Sequence, residues 1–144
     1  MRILLIPFLM KKFIAISALC LLAFAGCSSG APSGGETPEK ATAIAQCLDD
    51  KGVEMYGAFW CPHCNDQKKA FGKDAEKLIP YNECDARGEN EVSETCIDLG
   101  IEGYPTWIFA DGSREEHVLP LTELQELSGC TDAELENYSV TPSE

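Results

Sequence analysis

The feature that most constrains how this chain folds is a pair of cysteines, Cys61 and Cys64, with a proline and a histidine between them. The apolar run 53–59 in front of the pair predicts a buried strand, and helix-forming residues with apolar positions at helical spacing follow over 65–77. The pair therefore lies on a strand-to-helix turn. Pro62 suits the first helical position, where a missing N–H costs nothing, and this makes Cys61 the cap residue of the helix.

The position of the pair at a helix N-terminus predicts its chemistry. Free N–H groups and the positive end of the helix dipole face the cap sulfur and favour its thiolate, which is both the attacking species and a good leaving group. We therefore predict reversible disulfide exchange. Cys61 is expected to be the exposed thiol that forms mixed disulfides, and Cys64 the buried thiol that resolves them.

Other uses of two closely spaced cysteines fit this sequence less well. Haem attachment requires a histidine directly after the second cysteine, and Asn65 stands there. A tetrahedral zinc site normally needs a second closely spaced ligand pair, which is absent, so no metal site is predicted. A structural disulfide remains an alternative, although the strand before the pair and the helix after it favour a catalytic turn.

The first 26 residues read as an export signal of the lipoprotein type. They contain three basic residues, no acidic residue and an apolar run, 13–25, which is too short for a membrane span of about 20 residues. The small residues before Cys27 resemble the lipobox of bacterial lipoproteins, which implies cleavage after Gly26 and lipid attachment at Cys27. The expected location is extracytoplasmic, in the periplasm or on the outer face of the membrane. Simple secretion with an unlipidated Cys27 is the alternative.

The rest of the chain divides into three segments. A stretch rich in Ser, Gly and Pro, 27–42, predicts a flexible linker, 43–130 holds nearly all the patterned sequence, and 131–144 reads as an acidic tail with about one helical turn. Loss of the leader removes 3 of 11 basic residues and none of 24 acidic ones, which leaves a net charge of −16. Such a chain should repel nucleic acid, and we expect a soluble monomeric domain held to the membrane only by its lipid.

Two motifs together resemble the thioredoxin fold: the cysteine pair with the two residues between them, and the segment 100–106, which contains Tyr104 and Pro105. The resemblance implies an α/β domain with a central mixed β-sheet flanked by helices, ending in a β-hairpin and a C-terminal helix. The residue pattern predicts that the second strand of this hairpin covers 113–119 and that the closing helix covers 121–128. It also implies that Pro105 is cis and lies against the cysteines, and that Trp60 and Tyr104 line a substrate groove. No cofactor is expected besides the redox-active disulfide Cys61–Cys64.

A closer resemblance is to the thioredoxin-like domain associated with bacterial vitamin K epoxide reductase homologues. It is carried by residues 55–64, 80–84 and 103–107. It implies exchange with the thiols of substrate proteins and transfer of their electrons to a quinone-reducing membrane partner of that type. Pro62 and His63 resemble the dipeptide of strongly oxidising relatives, where the histidine favours the reduced thiolate. Two alternatives stay open: a thiol reductase or isomerase, and a non-catalytic metal-binding module of the same fold.

The remaining cysteines predict structural disulfides. Of eight cysteines, Cys20 leaves with the leader and Cys27 is assigned to lipid, so six remain, and pairing Cys61 with Cys64 leaves three possible arrangements for the other four. We prefer Cys84–Cys96, which would pin a polar loop, together with Cys47–Cys130, which would tie the first helix to the last. A role for Cys84 and Cys96 in relaying electrons is the alternative to a structural one.

The sequence departs from thioredoxin itself on the strand before the pair. Met55 occupies the position of a buried carboxylate, and Glu54 faces the other side of the sheet by strand alternation. Proton transfer would then depend on water or on a group such as Glu76. Trp107 either flanks the site or packs in the core.

Overall fold

The computed structural model describes residues 35–139 of the chain. The leader, the lipid site at Cys27 and residues 140–144 lie outside the described residues. The helices and strands in chain order are α1 (Pro38–Asp50), β1 (Glu54–Gly57), α2 (Pro62–Phe71), a 3₁₀ turn (Ala75–Leu78), β2 (Tyr81–Glu83), α3 (Ser93–Asp98), β3 (Thr106–Ile108), β4 (Arg114–Glu115), α4 (Leu121–Ser128) and α5 (Asp132–Ser139).

The centre of the fold is a four-stranded mixed sheet with the order β2-β1-β3-β4. Strand β2 runs parallel to β1, whereas β3 is antiparallel to both β1 and β4. Met55 of β1 is therefore paired with Tyr81 on one side and with Trp107 on the other. Helices flank this sheet, and the arrangement is a thioredoxin-like α/β fold, as the sequence predicts.

Helix α1 begins earlier than the composition suggests. The side chain of Thr37 accepts a hydrogen bond from the backbone N–H of Lys40 at 3.2 Å, and Pro38 occupies the first turn. The helix thus starts inside the segment 27–42 that reads as a linker. Ala41 is already fully buried, because its small side chain lets the first turn pack closely against the core.

Helix α2 and the C-terminal hairpin are both shorter than the sequence predicts. Gly72 has a φ of 83°, a positive value that suits glycine, and it ends a helix that the sequence predicts to run to residue 77. Strand β4 covers only Arg114–Glu115 of the expected 113–119. The segment leaves the sheet because the buried Gln67 accepts a hydrogen bond from the Leu119 N–H at 2.7 Å and donates to its carbonyl at 3.0 Å.

Helix α5 belongs to the domain, although 131–144 reads as a tail with about one helical turn. Leu135 is buried in the core, and Lys51 forms an ion pair with Glu134 at 2.7 Å. Glu134 also accepts hydrogen bonds from the backbone and hydroxyl of Thr131, a reciprocal cap that starts the helix. These donors, with Lys51 the strongest, lower the pKa of Glu134 to about 2.

Both disulfide pairings preferred from the sequence are present. Cys47–Cys130 joins α1 to the turn between α4 and α5 across 83 positions, and Cys84–Cys96 closes a loop of 12 positions between β2 and α3. The Cys47–Cys130 bond lies in the main core, which also holds Trp107, Phe71, Ile44 and Leu48. Cys84 and Cys96 pack with Tyr56 in a smaller second cluster. None of the helices within residues 35–139 is long and apolar enough to cross a bilayer.

The buried contacts of Gln67 lead to a prediction about stability. We expect Gln67→Leu to lower the free energy of unfolding by about 3 kcal/mol, because it leaves the N–H and the carbonyl of Leu119 buried without partners. Gln125→Leu is the matched control, since the side chain of Gln125 donates to Asp132 in an exposed contact, and we expect a change within about 0.5 kcal/mol. Urea unfolding measures both. Equal stability of the two variants would contradict the structural role of Gln67.

Candidate active site

The cysteine pair lies at the N-terminus of α2. Cys61 is the cap residue, with φ −72° and ψ 120°, and Pro62 takes the first helical position. The backbone N–H of Cys64 donates to the sulfur of Cys61 at 3.4 Å, and the N–H of Asn65 donates to the Cys61 carbonyl at 3.1 Å. The sulfur of Cys61 therefore occupies the position where an N-terminal helix cap receives its hydrogen bond, and where negative charge is stabilised.

The two thiols are reduced in this structure and both are buried. The sequence predicts an exposed Cys61, and this prediction is wrong, because Cys61 is only 4% exposed, against 0% for Cys64. The neighbouring Phe59 and Trp60 are 50% and 53% exposed and form the surface that surrounds the pair. A partner that reacts with Cys61 must therefore fit closely against these rings.

The residues of the predicted substrate groove meet at Cys61. The peptide bond between Tyr104 and Pro105 is cis, and the thiol of Cys61 donates to the Tyr104 carbonyl with an S···O distance of 3.7 Å. The rings of Trp60 and Tyr104 meet edge to face with centroids 6.2 Å apart. Trp107 is not part of this site, because it is fully buried in the main core and packs against Phe71.

An ion pair on the loop after β2 holds the exposed rings. The indole N–H of Trp60 donates to Asp85 at 2.6 Å, and Arg87 forms an ion pair with the same carboxylate at 2.7 Å. The guanidinium of Arg87 also lies 5.8 Å from the centroid of the Phe59 ring. Hydrogen bonds from Arg87 hold the pKa of Asp85 well below its usual range. The sequence did not predict the contact between Trp60 and Asp85, because the two residues are 25 positions apart and no local pattern indicates it.

Cys64 lies on the inner side of the site, against the backbone of β1. A Cβ added to Gly57 would lie 2.7 Å from the Cys64 sulfur and 2.9 Å from Cε2 of Tyr81, so only glycine leaves room for both. Burial raises the pKa of the Cys64 thiol well above its ordinary value. At neutral pH the buried thiol therefore keeps its proton until the reaction removes it.

A second set of polar groups missed by the sequence reasoning lies beside Cys64. The Nζ atom of Lys68 is 3.3 Å from the centroid of the Tyr81 ring, and the Tyr81 hydroxyl donates to Glu83 at 2.7 Å. Met55 is fully buried, as expected, while Glu54 is exposed and bonds Tyr56. The charged groups near the inner thiol thus come from α2 and β2. In the sequence, only the spacing of Lys68, four residues after Cys64, could have indicated a charged group beside this thiol.

The remaining candidate residues lie apart from these contacts. His63 is exposed on the first turn of α2. The Cys84–Cys96 bond is buried in the second cluster around Tyr56, and Cys47–Cys130 lies where α1 meets the end of α4. Within residues 35–139, no cluster of three or more His, Cys, Asp or Glu residues could hold a metal ion.

Comparison with known proteins shows a similarity to a thiol-disulfide oxidoreductase. No protein-family model matches the chain. Over 92 residues the chain is 42% identical to the thiol-disulfide oxidoreductase LTO1 of Arabidopsis thaliana, and the match covers 62% of this chain and 24% of that protein. The chain therefore spans about a quarter of the length of this curated relative. The similarity is to a protein named for thiol-disulfide exchange, which is the chemistry that two adjacent thiols at a helix N-terminus can perform.

The tight space at Gly57 leads to a prediction about the site. We expect Gly57→Ala to destabilise the protein by about 2 kcal/mol and to slow the reaction of the cysteine pair, because the added methyl group displaces Cys64 or Tyr81. Gly103→Ala is the control, since its Cβ would meet only a Glu116 carboxylate oxygen at 3.4 Å. Thermal unfolding and the rate of reduction of the pair by dithiothreitol measure the two effects. A Gly57→Ala protein with unchanged rate and stability would contradict the packing described here.

Proposed function

We propose that this chain is an extracytoplasmic thiol-disulfide oxidoreductase that forms disulfides in substrate proteins. The observation that carries the proposal is the position of Cys61 and Cys64 at the N-terminus of α2, facing the Tyr104 carbonyl beside cis-Pro105. The similarity to a segment of a plant thiol-disulfide oxidoreductase supports the same chemistry. The export signal that the sequence predicts over residues 1–26 supports the location.

The proposed reaction starts from the oxidised pair. A substrate thiolate attacks the sulfur of Cys61, the bond between Cys61 and Cys64 breaks, and Cys64 leaves with the electron pair and takes up a proton. A second substrate thiolate then attacks the substrate sulfur of the mixed disulfide and releases Cys61 as a thiolate. The substrate gains a disulfide and the pair gains two electrons. The N–H of Cys64 and the helix N-terminus stabilise the departing charge on Cys61.

Substrate binding would use the exposed rings around Cys61. Phe59 and Trp60 offer apolar area at the surface, and Tyr104 packs against Trp60 with its carbonyl directed at the reactive sulfur. Such a surface favours an extended, partly apolar segment around a substrate cysteine, because an unfolded chain exposes apolar side chains next to free backbone groups.

Reoxidation of the pair would require a membrane partner. We assign this role to a quinone-reducing enzyme that resembles vitamin K epoxide reductase, on the resemblance of residues 55–64 and 103–107 to domains associated with such enzymes. A lipid on Cys27 would hold the domain on the same membrane face as this partner. Tethering raises the effective concentration of the two proteins without any new contact between them.

The direction of electron flow is tested by the reduction potential of the pair. We expect a value of about −120 mV, typical of a dedicated oxidant, while a value of about −270 mV would identify a reductase. His63→Ala should make the potential more negative by roughly 30 mV or more, since the reduced thiolate loses a stabilising donor. His117→Ala is the control, because His117 is exposed and pairs only with Glu115. Equilibration with glutathione measures all three proteins, and an unchanged value for His63→Ala would contradict the tuning role.

The identity of the substrates is tested by trapping. In a Cys64→Ala variant, the Cys61 thiolate forms mixed disulfides by attacking disulfides of substrate proteins, the reverse of the last step above, and no Cys64 thiol is present to displace them. We therefore expect exported proteins bonded to Cys61 to accumulate, detectable by non-reducing gels and mass spectrometry. The matched control is the double variant Cys61→Ala/Cys64→Ala, which should trap none. Recovery of cytosolic proteins alone, or of no protein at all, would overturn the proposed pathway.

A further inference from the structure

The inner side of the cysteine pair carries a cation that the exchange reaction described above does not use. Lys68 lies four residues after Cys64 on α2, so the two side chains share one face of the helix. Its Nζ atom lies over the Tyr81 ring at 3.3 Å from the centroid, a close cation–π contact. The neighbouring Lys69, in contrast, is exposed and pairs with Asp66 at the surface.

A carboxylate on β2 completes this arrangement. Glu83 is 6% exposed, accepts a hydrogen bond from the Tyr81 hydroxyl at 2.7 Å and accepts another from the backbone N–H of Asp85 at 2.9 Å. Gly88 lies so close to the Glu83 side chain that a Cβ there would overlap it. The carboxylate is therefore held in one position, at the hydroxyl end of the Tyr81 ring over which Lys68 lies.

The charged and titratable groups that face Lys68 come from three elements. Cys64 lies on α2, Tyr81 and Glu83 lie on β2, and Glu76 lies on the 3₁₀ turn. Burial lowers the pKa of Lys68, while the charges of Cys64, Glu83 and Glu76 act in the opposite direction. Lys68 in turn favours the thiolate form of Cys64, against the burial that disfavours it.

We propose that Lys68 is the positioning cation of the resolving thiol: its ammonium group, held over Tyr81 and kept protonated by Glu83, stabilises negative charge on Cys64 whenever the Cys61–Cys64 bond forms or breaks. The inference rests on the proposed exchange reaction. In resolution, the Cys64 thiol gives its proton to solvent, its sulfur attacks Cys61, and the partner leaves Cys61 as a thiolate. A fixed cation lowers the free-energy cost of the transient negative charge on Cys64 in this buried site, where Met55 provides no charged group.

The first test measures resolution directly with a chromogenic disulfide, 5,5′-dithiobis(2-nitrobenzoate). The reduced full chain, with Cys20→Ser and Cys27→Ser in every variant, releases one thionitrobenzoate when Cys61 attacks and a second when Cys64 resolves the mixed disulfide. We expect Lys68→Met to slow the second release roughly tenfold at pH 7, equivalent to one unit of thiol pKa, and to change the first release much less. Lys68→Arg should restore the second rate, because it restores the charge, and Lys69→Met should leave both rates unchanged.

The second test uses the counter-charge. Glu83→Gln keeps a hydrogen-bonding partner for Tyr81 but removes the negative charge that keeps Lys68 protonated. Lys68 should then lose its proton at a lower pH, because its ammonium form is less stabilised. In both the unaltered chain and Glu83→Gln, the second release should be faster than in Lys68→Met as long as Lys68 is protonated. We expect this difference in rate to disappear at a lower pH in Glu83→Gln than in the unaltered chain. Stopped-flow measurement of the second release across pH gives this profile.

Three outcomes decide between the explanations. Equal second-release rates in Lys68→Met and the unaltered chain would overturn the role of Lys68. Equal slowing in Lys68→Met and Lys68→Arg, with a matching loss of thermal stability, would overturn it in favour of packing alone. Absence of a second release in the unaltered chain would contradict the proposed exchange reaction instead. In that case the role of Lys68 is tested separately by a carbon-13 titration of Cys64 in a Cys61→Ser background. Lys68→Met must raise the pKa of the Cys64 thiol there, and an unchanged pKa would overturn the role of Lys68.

Discussion

The close packing of Cys64 against the backbone of Gly57 is the contact on which the rest of the site depends. The sulfur occupies space that a side chain on β1 would fill, and the Tyr81 ring closes the same space from β2. Because β1 lies between β2 and β3, this contact anchors the start of α2 to the middle of the sheet. Cys61, three residues earlier, is thereby held in front of the Tyr104 carbonyl.

The two sulfurs have different surroundings, and this difference matches the different roles proposed for them in exchange. Around Cys61 lie the exposed rings of Phe59 and Trp60, held by the Asp85 and Arg87 pair, which suit contact with another protein. Around Cys64 the groups are buried or half-buried, and burial raises the pKa of its thiol. Cys61 thus keeps a small exposed fraction beside these rings, while Cys64 is fully buried.

Much of the fold could be predicted from short stretches of sequence. The cap at Cys61, the proline after it and the extent of α4 over Leu121–Ser128 all follow from local signals that the structure reproduces. The errors arose where a distant contact overrides a local pattern. Gln67 draws Leu119 out of the sheet and shortens the hairpin, and the burial of Leu135 holds α5 against the domain. Neither contact leaves a periodic signal in the sequence.

The sequence by itself determined the reactive pair, its place at a helix N-terminus and the preferred disulfide partners, because these depend on residue type and on spacing over a few positions or on counting cysteines. Only the tertiary structure decided which groups surround the two sulfurs. Lys68 meets Tyr81 and Glu83, and Trp60 meets Asp85, because parallel pairing of β1 with β2 brings the end of β2 beside the start of α2. Contacts between residues so far apart are set by how strands and helices pack, and local propensity carries no information about them.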